Sequence, residues 1–219
     1  MIVFCDLDGT LIDSSERHIV LLDFLLKEHS HKSGMPELWS LDDYLPFKAA
    51  GQNTTSYLLK HGVPVSLAEE IAFAWRNHIE DADYLELDTV YSDTFAFLKE
   101  IISAGHTIAY VSARKNKEGL KNTLKRLCLQ EFAKEIYIVD PAHAAQEKAD
   151  ALRDCSCEQG VFIGDTEADW NCAMLAGIPC VVLNRGFRSK SYWDHRGVES
   201  YGDLASVLRA LAELNFVLG

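Results

Sequence analysis

The 219-residue sequence predicts a doubly wound, parallel-sheet α/β domain interrupted by an α-helical insertion, and three observations carry this prediction. First, five short runs are nearly continuous in apolar residues: 2–5, 107–111, 136–139, 161–163 and 180–183. Continuous rather than alternating hydrophobicity marks strands buried on both faces, as in a parallel sheet. Second, single helical patterns separate the later runs. Leu120, Leu124 and Leu127 follow the second run, and Ala168, Cys172 and Leu175 follow the fourth. Strand and helix in alternation give the doubly wound class. Third, the first two runs are about a hundred residues apart, where one crossover helix needs about a dozen.

That gap reads as mostly helical. Ile19, Leu22, Leu25 and Leu26 form one apolar stripe, and Leu67, Ile71, Trp75, His78 and Ile79 form a second. Tyr57, Leu58 and Leu59 belong to a shorter helix, and Pro36, Pro46, Gly51, Gly62 and Pro64 punctuate the segment. The expected organisation is a core of residues 1–13 and 85–219 with a helical cap, residues 14–84, inserted after the first strand. The chain re-enters the core through a helix carrying Phe95, Leu98, Ile101 and Ile102.

Composition narrows the function classes. With 48% hydrophobic residues the chain can bury a sizeable core. A net charge of −12 repels nucleic acid and anionic lipid, so neither is an expected partner. A small phosphorylated metabolite stays open, because a few cations or a bound metal can dominate the potential of one cleft. No apolar run approaches the roughly 20 residues of a membrane helix. The first apolar stretch stops at Asp6 and Asp8, unlike a signal peptide, and the expected location is cytoplasmic. The six cysteines show no C-x-x-C or zinc spacing. Cys5 and Cys180 fall in expected strands as small hydrophobes, while Cys155 and Cys157 fall in an expected loop with no assigned role.

Parallel sheets present binding groups at the carboxyl ends of their strands. Asp6-Leu7-Asp8-Gly9-Thr10 follows the first run, Ser112-Ala113-Arg114-Lys115 follows the second, and Gly164-Asp165 follows the fourth, with Asp169 four residues on. Converging carboxylates repel one another, and a hard divalent cation such as Mg2+ relieves this, with Asp6 and Asp165 as natural ligands. Residues two apart in a strand point the same way, so Asp6 can attack an electrophile while Asp8 handles the leaving group's proton. Gly9 and Thr10 let the chain turn and present N–H groups to an anion. Lys148 could begin a helix beside this edge; Lys134 competes but precedes the third run, at the opposite edge.

The run Phe4-Cys5-Asp6-Leu7-Asp8-Gly9-Thr10-Leu11 resembles the first signature of the haloacid dehalogenase-like hydrolase superfamily. Ser112, Lys148 and Gly164-Asp165-Thr166-Glu167-Ala168-Asp169 resemble its second, third and fourth, in the correct order across the Rossmann-like core. The insertion resembles the α-helical cap of the phosphoglycolate-phosphatase-like branch. The resemblance implies an Mg2+-dependent phosphatase that hydrolyses a small phosphate monoester through an aspartyl-phosphate. Asp6 would be the nucleophile and Asp8 the general acid and base. Ser112 and Lys148 would hold the phosphoryl group, with Gly9, Thr10 and Ala113 beside them. Asp165, Asp6 and the Asp8 carbonyl would bind Mg2+, and Asp169 would orient Lys148 or a metal-bound water. A phosphomutase resembling β-phosphoglucomutase is the alternative, and a phospho-accepting signalling module a remote one.

The cap holds the expected specificity elements. Residues 45–53 read as a loop into a helix beginning near Asn53 or Thr54, where Lys48 and Asn53 could meet a substrate's tail. The plainer readings are a surface lysine and an N-cap. Trp39, Trp75 and His78 read as cap packing. Arg114, Lys115 and Lys117 attract anions or simply begin a solvated helix, and the basic stretch 185–190 flanks the site or forms a surface loop.

Overall fold

The computed structural model describes residues 1–33, 40–154 and 160–213, without the side chains of 30–33. Trp39, Cys155 and Cys157, each given an expectation above, lie outside the described residues. The main sheet contains β1 (Ile2–Cys5), β4 (Thr107–Ala113), β5 (Ala133–Val139), β6 (Gly160–Gly164), β7 (Cys180–Leu183) and β8 (Ser200–Tyr201). Their order is β5-β4-β1-β6-β7-β8, and every neighbouring pair is parallel. The chain therefore starts at the centre, builds outward to one edge and returns to build the other. That reversal beside β1 is the switch point where such sheets open a crevice.

Side chains of β1 alternate between two apolar layers. Val3 and Cys5 pack with Phe97, Leu98 and Ile101 of α6 (Thr94–Ser103), Leu120 and Leu124 of α7 (Lys117–Arg126), and Val207 and Leu211 of α11 (Leu204–Glu213). Phe4 faces the other way, onto Ala149 and Leu152 of α8 (Ala144–Asp154) and Cys172 and Ala173 of α9 (Glu167–Ala176). Burying each large apolar side chain contributes roughly 1.5–3 kcal/mol, which fixes the strand ends that carry the chemistry. Cys5 and Cys172 are buried thiols within these layers.

In the main sheet two features escaped the sequence pattern. β8 is only two residues long and has no apolar run. β5 begins earlier than expected because Lys134 and Glu135 are exposed, as charges on an edge strand commonly are.

The helical insertion, labelled the cap below, consists among the described residues of α1 (Ser15–Ser33), α2 (Tyr44–Ala49), α3 (Thr54–Lys60), α4 (Val65–His78) and α5 (Ala82–Leu85). It has its own core of Leu21, Leu22, Leu25, Leu26, Tyr44, Tyr57, Leu58 and Ile71. Lys48 lies in helix α2 rather than in a loop. Pro46 hid this helix; it sits in the first turn, where a missing N–H breaks no intrahelical bond. Short strands β2 (Ile12–Asp13) and β3 (Thr89–Val90) pair antiparallel where the chain enters and leaves the cap. The remaining helix, α10 (Lys190–Asp194), follows β7. No helix among the described residues is long and apolar enough to cross a membrane.

Candidate active site

Asp6 continues the ladder of β1, its N–H donating to the Ile163 carbonyl at 2.9 Å. The chain then turns tightly, the N–H groups of Thr10, Leu11 and Ile12 all donating to the Leu7 carbonyl. Gly9 takes φ +81°, and a Cβ there would strike the Asp165 carboxylate. Gly186 abuts the same carboxylate from the loop after β7. Glycine at both positions lets Asp165, at the end of β6, sit fully buried against the turn. Its Oδ2 accepts from Phe187 N–H at 2.5 Å and its Oδ1 from the Thr10 hydroxyl at 3.3 Å.

Lys148 reaches this edge from α8. Its Nζ donates to Asp6 Oδ1 and to Asp169 Oδ1, both at 2.6 Å, and the residue is 2% exposed. Lys134 is exposed on β5 and takes no part. The second oxygen of Asp169 accepts from the Thr166 N–H at 3.0 Å and the Thr166 hydroxyl at 2.7 Å, which also caps α9. Ser112 is buried two residues beyond Tyr110, the register partner of Cys5.

Asp6, Asp165 and Asp169 each offer an oxygen within 4.8 Å of the others. Three carboxylates thus face one ammonium. Burial lifts the Asp6 carboxyl to about 7 against the opposing pull of Lys148. Burial, with Asp169 and Asp6 close by, also lifts Asp165 well above the carboxylate range. Burial works against the Lys148 ammonium, but Asp169 and Asp6 outweigh it and raise its pKa. The cluster is short of positive charge and rich in hard oxygen donors, a set that fits magnesium.

Asp8 lies outside that cluster. Its Oδ1 accepts from Arg17 Nη2 and Arg114 Nη2, both at 2.6 Å, and its Oδ2 from Arg114 Nε at 2.8 Å. Burial opposes its charge, yet Arg114 and Arg17 prevail and hold it well below the usual carboxylate range. Arg114, weighed above only as an anion attractor or helix start, is thus a partner of Asp8. Arg17 was missed, as was His18 beside it. Their available signal was charge and imidazole on the apolar stripe that continues through Leu21, Leu22 and Leu25.

Two cavities meet behind this edge. One, of about 570 Å³, is bordered by Asp8, Arg17, Ala113 and Arg114. The other, of about 380 Å³, is bordered by Lys48, Gln52, Asn53, Thr54 and Arg188. His18, Trp75, Arg76 and Phe187 border both. The His18 ring stacks on Phe187 at 4.6 Å and meets Trp75 edge-on at 4.9 Å. Trp75 therefore both packs the cap and walls the cleft. Lys48 Nζ lies 3.1 Å from His18 Nδ1 and 4.5 Å from the Trp75 ring centroid, with no ion-pair partner among the described residues. Burial, then Arg188 and Arg17, push its pKa down to about 7. Asn53 is an N-cap, its Oδ1 accepting from Ser56 N–H at 2.8 Å, and it also lines the second cavity. His78 stays outside the cleft, paired with Asp81.

The loop after β7 bridges core and cap. Arg188 grips Glu167 through two bonds, Nε at 2.6 Å and Nη2 at 2.5 Å, and Ser189 N–H donates to the Ala49 carbonyl of α2 at 2.8 Å. The basic stretch 185–190 therefore flanks the site.

Among solved structures of similar fold is SP0104 of Streptococcus pneumoniae, a haloacid dehalogenase-like family protein. It is 22% identical, covers 96% of this chain and 97% of its own, and has a TM-score of 0.75. A predicted phosphatase of Clostridium acetobutylicum is 18% identical over 97% of this chain and 98% of its own, with a TM-score of 0.73. A candidate phosphoglycolate phosphatase of Lactobacillus delbrueckii subsp. bulgaricus is 16% identical over 96% and 97%, also with a TM-score of 0.73. A search of curated proteins finds no match to the chain. The sequence profile of the haloacid dehalogenase-like hydrolases matches residues 2–183, and the chain belongs to that family.

Proposed function

We propose that this hydrolase is an Mg2+-dependent phosphatase that cleaves a small phosphate monoester through an aspartyl-phosphate on Asp6. The observation that carries the reading is the buried set of Asp6, Lys148, Asp165 and Asp169 at one sheet edge. The phosphoryl oxygens lie against Lys148, Ser112 and the N–H groups of Asp8 and Ala113; the Gly9 and Thr10 N–H groups, expected above to face an anion, are instead taken by the Ile12 and Leu7 carbonyls. An Asp6 oxygen attacks phosphorus and the ester P–O bond breaks; Asp8, ionised while Arg17 and Arg114 hold it, takes up a proton from solvent as it turns from them and gives that proton to the leaving oxygen. Asp8 then draws a proton from water, whose oxygen attacks the same phosphorus. Phosphate departs and the Asp6 carboxylate is restored. Asp169 holds Lys148 in place. Asp6, Asp165 and the Asp8 carbonyl would hold magnesium, which neutralises phosphoryl charge.

Residues 14–84 act as a cap that excludes water and limits the substrate's size. The leaving group extends toward Lys48 and Asn53. Among the described residues the Lys48 cavity has no carboxylate on its wall, although the chain carries a net charge of −12. Lys48→Met should raise KM about tenfold for an ester whose leaving group carries a second oxyanion, since one charged hydrogen bond contributes ~1.5–3 kcal/mol. Comparing 3-phosphoglycerate with glycerol 3-phosphate tests this; an equal change for both removes Lys48 from the site.

Phosphate release from a panel of monoesters, with Mg2+ and with EDTA, tests the reaction itself. No release from any ester sinks the reading, and return of the phosphoryl group to a sugar indicates a mutase. Magnesium should also stabilise the fold in a pH-dependent way. Asp6 and Asp165 have raised pKa values, so ionising them in the folded state costs stability as pH rises toward and past 7. The cation needs the ionised form. The rise in Tm on adding Mg2+ should therefore be larger at pH 8 than at pH 5; an equal rise at both would place the cation elsewhere.

A further inference from the structure

Asp8 belongs to a closed ring of charges. Both guanidinium groups that bind it also reach Asp88, which is fully buried. Arg114 Nη2 is shared between Asp8 Oδ1 at 2.6 Å and Asp88 Oδ2 at 3.1 Å. Arg17 binds Asp8 through Nη2 at 2.6 Å, and its Nε lies 3.1 Å from Asp88 Oδ1. Cation and carboxylate alternate around the ring. Its members come from four places: the turn after β1, the start of α1, the segment between α5 and β3, and the end of β4.

Asp88 is anchored independently of its side chain. Its carbonyl accepts from Arg126 Nη2 of α7 at 3.0 Å, as the Leu85 carbonyl does at 2.7 Å. It stands where the chain leaves the cap, and Arg17 stands where the chain enters it. Arg17 Nε, Asp88 Oδ1 and Arg114 Nη1 lack a well-aligned hydrogen-bond partner despite their burial. The arginines are therefore divided between two acceptors and saturate neither.

We infer that Asp88 is a positioning residue for the reaction: it shares Arg17 and Arg114 with Asp8 and so keeps the two arginines from closing wholly on the Asp8 carboxylate. The inference rests on the phosphatase reading above. Asp8 must turn to the leaving oxygen and give it a proton, and each charge-assisted bond it keeps to an arginine resists that turn. Without the Asp88 charge, two guanidinium groups face a single carboxylate. The loss then falls on the step that uses the Asp8 proton. Phosphoryl transfer to Asp6 is spared when the leaving group needs no proton.

The test is Asp88→Asn, which keeps the volume and removes the charge, assayed on two esters. p-Nitrophenyl phosphate releases a stabilised phenolate, whereas glycerol 3-phosphate releases an alkoxide that must be protonated. General acid–base catalysis contributes about 10²–10⁴, so kcat/KM, which reports the transfer to Asp6 and not the later hydrolysis that both esters share, should fall roughly 10–100-fold further on glycerol 3-phosphate than on the aryl ester. An equal fall on both esters, as a purely structural role would give, overturns the inference, and so does no fall on either. If the Asn variant does not fold, as judged by thermal melting, Asp88→Glu keeps the charge but displaces the contacts, and the same ratio is read. The pair is read alongside the wider panel of monoesters, and wild-type protein that releases phosphate from none of them overturns the phosphatase reading instead.

Discussion

Asp6→Asn should abolish turnover, by at least about a thousandfold, while leaving the protein folded. An amide keeps the shape of the carboxylate and can still accept from Lys148. It cannot form the acyl phosphate. The stability side of this expectation has a definite sign. Asp6 is one of three buried carboxylates sharing a single ammonium, and burial already disfavours its charge. Removing that charge relieves repulsion with Asp165 and Asp169, so Tm without metal should equal or exceed that of the wild type. The Mg2+-induced rise in Tm should shrink, because a ligand has been lost. A melting curve with and without Mg2+, next to a turnover assay, reads all of this. Turnover within tenfold of wild type would put the nucleophile elsewhere.

Lys148→Met should be the more damaging change because it strikes both function and fold. The ammonium bridges Asp6 and Asp169 at 2.6 Å each, with all three groups buried. Breaking a buried pair by removing one partner costs about 3–5 kcal/mol, since the remaining charge stays buried without compensation. For a chain of this size that is a fall in Tm of about 10 °C. The orphaned carboxylates can escape the penalty by taking up protons, so the loss should be greatest at pH 8 and smaller at pH 5. Added Mg2+ should recover part of the Tm, because the cluster has become more negative. It should not recover activity, because nothing then holds the phosphoryl oxygens or orients Asp6. A variant with wild-type Tm across this pH range would mean that the buried bridge contributes little.

The sequence made the sheet edge legible because its chemistry follows strand ends directly. Asp6, Ser112 and Asp165 each stand at or just past an apolar run, and the parallel sheet brings those ends together. Lys148 required more: only its place before the fourth run suggested which edge α8 would line. The cleft's far wall was less legible. Arg17 and His18 sit on a helical face that reads as core, and their burial becomes intelligible only beside Asp8 and Phe187. Asp88 carries no local signal, because its partners lie 71 and 26 residues away in the chain. The charge of Lys48 marks it in the sequence, but Pro46 reads as a break and hides its helix until the proline is seen in a first turn. Side chains that act from the ends of elements can be read from order along the chain. Side chains that act across the cap–core junction depend on packing that no single stretch of sequence encodes.

The central position of β1 has a consequence for how the protein is made. β1 precedes both of its partner strands in the chain, yet Ile2 pairs with Thr107 on one side and Gly160 on the other. Its pairing with β6 therefore spans more of the chain than any other in the main sheet, and loop closure of that length delays it. The cap draws its core from a single continuous stretch and can collapse well before those partners exist. The segment that begins Ile2-Val3-Phe4-Cys5 waits as an unpaired apolar strand, the kind of exposed edge that invites chaperone binding during synthesis. The Asp6 carboxylate meets Asp165 only when β6 has been made, so a nascent chain that stops before β6 holds Asp6 without the rest of its carboxylate cluster.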